Sequence, residues 1–210
     1  MSRITRYGGI AASIILIAFG IGSIVIGLSG RSDVGQQLKQ EQITGTPDMT
    51  PAAIRAEVQQ AGLTGVKAPS CSVAGQPVDS GAPARCFAQY MRIHALEATG
   101  GKTYAQMPRY ATANGKGTDD PKAAQKRPDG TPVDNPARNV WINETALSTA
   151  LNTSYFAQRV ALFSIIMGIA LLLTGIGFLV LTLELLRRRT TTAPEAERQP
   201  RPRGAVPAAG

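Results

Sequence analysis

Histidine occurs once in this sequence, at His94, and cysteine twice, at Cys71 and Cys86. A two-His-one-carboxylate iron site needs two histidines, and a closed zinc site needs four nitrogen or sulfur ligands at recognisable spacing. These three residues supply neither set. The cysteines lack the CxxC spacing of a redox motif. There is no HExxH, no nucleophile elbow and no placeable pair of catalytic carboxylates. Gly100-Gly101-Lys102-Thr103 ends like a phosphate-binding loop, but Leu96 stands where that motif requires its first glycine. The sequence therefore predicts no catalytic residue, no metal and no cofactor, and a protein that is not an enzyme. Aromatic residues are also scarce, at 5%, so any water-soluble core has to be built from aliphatic and alanine side chains.

What the sequence does have is two long uncharged runs. The run from Val160 to Leu183 carries no charged side chain and is followed by Arg187-Arg188-Arg189. A second, from Gly8 to Gly30, lies near the other end. An apolar stretch of about 18 or more residues is a transmembrane helix candidate. The first run, with Arg3 and Arg6 before it, also invites a signal-peptide reading. A secretory apolar region is only about 7–15 residues long, however, whereas this run extends roughly 34 Å as a helix. An uncleaved anchor is the expectation.

Charge sets the expected direction of threading. The net charge is +8, and most of the excess lies on the two ends: residues 187–210 hold six arginines against Glu195 and Glu197. Lys and Arg accumulate on cytoplasmic flanks. The expectation is a plasma-membrane protein with both termini cytoplasmic: residues 1–7 inside, helix 8–30, an extracytoplasmic domain over 31–158, helix 159–186, and a disordered basic tail over 187–210. Arg31 and Arg159, at the outer ends, run against this asymmetry. Because membrane flanks account for the basic excess, no nucleic-acid partner is predicted.

Small residues in the spans follow a pattern. Gly9, Ser13, Gly20, Ser23, Gly27 and Gly30 recur in steps of three and four, with Leu16 in the remaining place. Ala161, Ser164, Gly168, Gly175 and Thr182 do the same in the second run. Such spacing lays small residues on one helix stripe, where they let two backbones approach closely in lipid. Gly20, Ser23, Gly27, Ser164, Gly168 and Gly175 are the predicted packing residues. The fold class is mainly α: an antiparallel two-helix transmembrane hairpin carrying a small helix-and-loop extracytoplasmic domain.

Within that domain Thr50-Pro51 reads as an N-cap and first helical position, and Gly62 as a stop, giving a helix over 51–61. Val34–Glu41 either extends the first span or forms a short helix. Pro83–Ala98 reads as a helix closed by Gly100-Gly101. Its His94 is expected to be structural. Cys71 and Cys86, on the oxidising side, are expected to form a disulfide. From Pro108 to Arg138 turn residues dominate and no period survives, which predicts either solvated disorder or a partner-binding loop. Asn143-Glu144 reads as the start of a last helix that could run unbroken to Arg189, with Asn152-Thr153-Ser154 as its bending point.

Three stretches carry a resemblance: QITGTPDMTPAAIRAE (42–57), CFAQYMRIHALEATGGKTYAQM (86–107) and NETALSTALNTSYFAQ (143–158). They resemble an uncharacterised family of two-pass membrane proteins from actinobacteria, over about residues 7–183. The resemblance implies the two-pass architecture and brings no activity and no site residues. Some members bear the label aromatic ring-opening dioxygenase, which a single histidine does not support.

The leading functional expectation is a non-enzymatic accessory or scaffolding component of the cell envelope. Its partners would be the lipid bilayer and, through the small-residue faces, other membrane proteins or itself. Two other readings stay open: a sensor or ligand-binding ectodomain coupled through the second helix, and a thiol-redox protein using Cys71 and Cys86.

Overall fold

The computed structural model describes the backbone from Arg3 to Thr190 and side chains from Tyr7 to Arg187. Of the tail expected to be disordered over 187–210, residues 187–190 instead continue α4, and 191–210 lie outside the described residues. Four helices account for most of the chain: α1 (Arg3–Gln40), α2 (Pro51–Gln60), α3 (Gly81–Ala98) and α4 (Pro136–Thr190), with a 3-10 turn at Tyr104–Gln106. Among the described residues there are no strands, only isolated β-bridges.

α1 and α4 are long and apolar enough to cross a membrane. Each holds an 18-residue window of mean hydropathy 2.5, of which only 11% is buried. Those windows present their apolar surface outward, unlike the core helix of a water-soluble protein. The polar segment after Arg31 continues α1 to Gln40. α4 runs 55 residues, and its first turn lies well before Asn143. The expected start is thus corrected: Asn135 caps the helix, its Oδ1 accepting from Ala137 N at 3.1 Å, and Pro136 occupies the first helical position. Asn152 and Ser154 do not interrupt it. Their side chains donate back to the Ser148 and Ala150 carbonyls at 2.8 and 3.0 Å, four residues earlier, so the ladder is supplemented rather than broken.

The chain divides into two compact units, one made of the residues up to Ile21 with those from Gly168 on, the other of Gly22–Met167. In the second unit, α2 begins as its sequence requires, Thr50 Oγ1 accepting from Ala53 N at 3.2 Å. Gly62, at φ 63°, follows its end. Met49, Ile54, Leu63, Val73, Cys86, Tyr90 and Ile93 form one core between α2, α3 and the connecting loops. Leu38, Val78, Ala84, Ala88 and Leu151 form another, joining the end of α1 to α3 and α4. Among the buried residues of these two clusters Tyr90 is the one aromatic, and Trp141 is buried in a third with Ala95 and Met107. The loops over 43–49 and 71–78 are tied by Gly75 N to Gly45 O (2.8 Å) and Val78 N to Ile43 O (2.9 Å). Gly45 lies so close to the Val73 carbonyl that a β-carbon would clash.

The Pro108–Arg138 segment is not solvated disorder. Ala111 N donates to Val133 O at 2.8 Å, Gln125 N to Ala111 O at 2.9 Å, and Val133 N to Gln125 O at 2.8 Å. Asn135 Nδ2 fastens its end to the Pro108 carbonyl at 2.9 Å. The order comes from backbone groups pairing across the loop, which leaves no side-chain period behind.

Candidate functional site

Four constellations stand out among the described residues. The first is the set of small residues on α1 and α4. In the unit that holds Gly20, Gly168 and Gly175, all three are buried. A β-carbon on Gly20 would stand 2.8 Å from the Gly168 carbonyl oxygen and 2.7 Å from Leu172 N. One on Gly175 would stand 2.8 Å from Ile17 Cγ1 and 3.0 Å from Leu16 Cβ, and one on Gly9 3.0 Å from Thr182 Oγ1. In the other unit Gly27 is buried 2.7 Å from the Ala161 carbonyl by the same measure. Ser23 and Ser164 are only half-buried. Gly22 and Gly177, off the stripes, would meet nothing within 4 Å.

The second is the cysteine pair. Cys71 and Cys86 sulfurs lie 2.07 Å apart, at disulfide distance, across a separation of 15 residues. The bond fastens the 71–78 loop to the second turn of α3. Tyr90, one turn further along, is buried and donates its hydroxyl to the Cys71 carbonyl at 2.6 Å. That burial pushes the Tyr90 hydroxyl above its ordinary range.

The third surrounds His94. Its Nδ1 lies 2.9 Å from Glu57 Oε1, and its Nε2 lies 3.5 Å from Asp48 Oδ2. The imidazole thus bridges the loop before α2, α2 itself and α3. Burial, then a hydrogen bond with Glu97, raises the Glu57 carboxyl, against an opposing pull from His94. The Thr46 hydroxyl is the main cause holding Asp48 below its usual value. The ligand atoms of Asp48, Glu57 and His94 lie within 4.8 Å of one another. A metal ion takes one imidazole nitrogen, however, and here the two carboxylates engage opposite nitrogens. As arranged, the group is a polar bridge centred on the imidazole rather than a chelate.

The fourth joins α3 to α4. Glu144 is 3% exposed and receives Arg92 Nη1 at 3.1 Å and Ser148 Oγ at 2.8 Å. The Arg92 guanidinium also stacks over Trp141, 4.0 Å from the ring centroid, a favourable cation–π placement. Beside this pair a groove of about 640 Å³ opens, lined among others by Lys67, Ser70, Gln89, Arg92, Glu144 and Ser148. Sequence reading misses this pair because its partners are 52 positions apart. The available signal is that Glu144 is the sole acid between Pro136 and Leu183.

Compared with protein-family models, curated proteins and solved structures, the chain matches none. Its function has to be argued from its own residues and the helices that carry them.

Proposed function

We propose that this chain is a two-span protein of the plasma membrane, a non-enzymatic accessory or scaffolding component of the cell envelope. In this reading residues 8–30 and 159–186 cross the bilayer as an antiparallel hairpin. Residues 31–158 form the extracytoplasmic domain, and both termini are cytoplasmic. The observation that carries the reading is the close approach of glycine to backbone at Gly20 and Gly168, on helices whose bulky residues face outward. Phe19, Ile26, Phe163 and Leu173 are each more than 60% exposed. In water that arrangement would be unfavourable; in lipid the small residues gain dispersion contacts and the bulky ones meet acyl chains. Within one unit, contacts pairing Gly9 with Thr182 and Gly20 with Gly168 and Leu172 fall in opposite chain order, which supports the antiparallel arrangement. Because the stripes are occupied within the chain, partner spans would meet the outward faces instead.

The test is in-membrane cross-linking with co-purification in mild detergent. The reading expects defined partner proteins or a second copy in the cross-linked species. Recovery only as a free monomer, with Gly20→Leu and Gly168→Leu both harmless, would contradict it.

The groove beside Arg92 and Glu144 favours a second reading, a ligand-binding ectodomain coupled through α4. Glu144 and Ser148 lie on the same helix that contains the second apolar run. Inserting a helix-breaking proline near Asn152 tests it: an unchanged cytoplasmic readout removes the sensor reading and leaves the accessory one intact.

A further inference from the structure

Arg31 and Arg159 are the two cations that run against the charge asymmetry of the chain, since they close the ends of the apolar runs. They line one pocket of about 210 Å³ together with Ala82, Tyr155, Gln158 and Leu162. Tyr155 is the hub. Its hydroxyl accepts from Arg159 Nε at 3.0 Å. The Arg85 guanidinium carbon stands 4.7 Å from the centroid of the same ring, and that of Arg159 5.2 Å. Hydrogen bonds from Arg159 and then Arg85 favour the phenolate and lower the Tyr155 hydroxyl below its ordinary range. Gln158 accepts from Gly81 N through Oε1 at 2.8 Å, so the remaining polar atom of its amide is a donor.

No acidic side chain lines this pocket, and among the described residues none of Arg31, Arg85 and Arg159 forms an ion pair. Asp79 lines the adjoining cleft with Arg31 and Lys39, so the neighbourhood stays positive. Like charges gathered without a counter-ion repel, and an anion between them reverses the sign of that energy. Guanidinium groups match phosphate oxygens by paired N–H donors.

We propose that Arg31 and Arg159, which line the pocket beside Tyr155, together with Arg85, which stacks on the Tyr155 ring, form a binding site for a phosphate ester. The phosphodiester of an anionic phospholipid headgroup and a soluble phosphate offer the same recognised chemistry. The lipid source rests on the membrane reading above, because it needs the apolar runs that end at Gly30 and begin at Val160 to lie among acyl chains.

The test uses the full chain purified in uncharged detergent. It is mixed with micelles holding equal phosphatidylglycerol and phosphatidylcholine, and retained lipid is read by native mass spectrometry. A parallel calorimetric titration uses inorganic phosphate. Phosphatidylglycerol should be retained in preference, with about fivefold lost for each cation removed. Arg85→Gln/Arg159→Gln should bring the two lipids near parity, Arg85→Lys/Arg159→Lys should fall between, and Arg127→Gln should match the wild type. A lipid preference lost in the double variant assigns the headgroup source. Phosphate heat lost in that variant without a lipid preference assigns the soluble source. Lipid retention and phosphate heat that are both the same in wild type and double variant would overturn the proposal. Alkaline extraction from membranes tests the membrane reading separately: a chain released with soluble proteins, yet binding phosphate through these arginines, leaves the site standing.

Discussion

Gly20 and Gly168 approach so closely that a methyl group on Gly20 would stand 2.8 Å from the Gly168 carbonyl oxygen. The obstructing atoms are backbone, so no side chain can swing aside. Forced overpacking of this kind costs about 1–3 kcal/mol. Gly20→Leu and Gly168→Leu should each lower the thermal midpoint of the detergent-purified protein. Gly22→Leu and Gly177→Leu, at positions with nothing within 4 Å, should leave it unchanged. Equal effects at all four positions would show that glycine content, not the contact, matters.

The Arg92–Glu144 contact makes a second prediction. Glu144 is buried and accepts from Arg92 and Ser148, so its removal takes the acceptor from both partly buried donors. Glu144→Ala should destabilise by about 1–3 kcal/mol, less than a fully buried pair because Arg92 remains 46% exposed. Glu144→Gln should recover part of the loss. Chemical denaturation followed by Trp141 fluorescence reads both variants, and an unperturbed midpoint in Glu144→Ala would contradict the assignment.

Reducing the Cys71–Cys86 bond should loosen the domain without removing any reaction. Closing a loop of this length is worth about 3 kcal/mol on chain-entropy grounds. Cys86→Ala should therefore melt lower, and dithiothreitol should shift the wild type alone. Thiol-exchange activity of the wild type towards a model disulfide, absent from Cys86→Ala, would instead revive the redox reading.

The carboxylates around His94 give stability a pH dependence of two signs. Glu57 is raised above its ordinary 4.5, so the folded state holds that proton more tightly. Its contribution is full below 4.5 and fades as pH rises through the raised folded value. Asp48 is lowered below its ordinary 3.8. Its contribution is present above that value and is lost as pH falls through the lowered one, and it is small because the side chain is 51% exposed. Glu57→Gln should abolish the decline above 4.5 and keep the acid-side loss. Thermal midpoints across that range check it; a decline that persists in Glu57→Gln belongs to another group.

How much of this is legible in the sequence depends on the range of the interaction. The apolar runs show directly, because a span has to avoid charge along its whole length. The start of α2 shows too, since Thr50, Pro51 and Gly62 act within a turn of where they stand. Asn135-Pro136 misleads because the same pair suits a turn and a helix cap, and only the Ala137 N–H decides between them. The Pro108–Arg138 loop hides its order in backbone bonds such as Ala111 to Val133, which need no particular side chain. The Arg92–Glu144 and Glu57–His94 contacts are invisible for a simpler reason. Each joins residues on different elements, and no local spacing encodes the meeting.

The central claim is the threading: two spans, residues 31–158 outside, both ends inside. It is tested most directly by labelling intact cells with a membrane-impermeant maleimide, using single added cysteines at Lys122, Ser2 and Thr192; Cys71 and Cys86, joined as a disulfide, stay silent. The account predicts that Lys122→Cys labels in intact cells, while Ser2→Cys and Thr192→Cys label only after permeabilisation. Labelling of Ser2→Cys or Thr192→Cys in intact cells, or protection of Lys122→Cys, would contradict it.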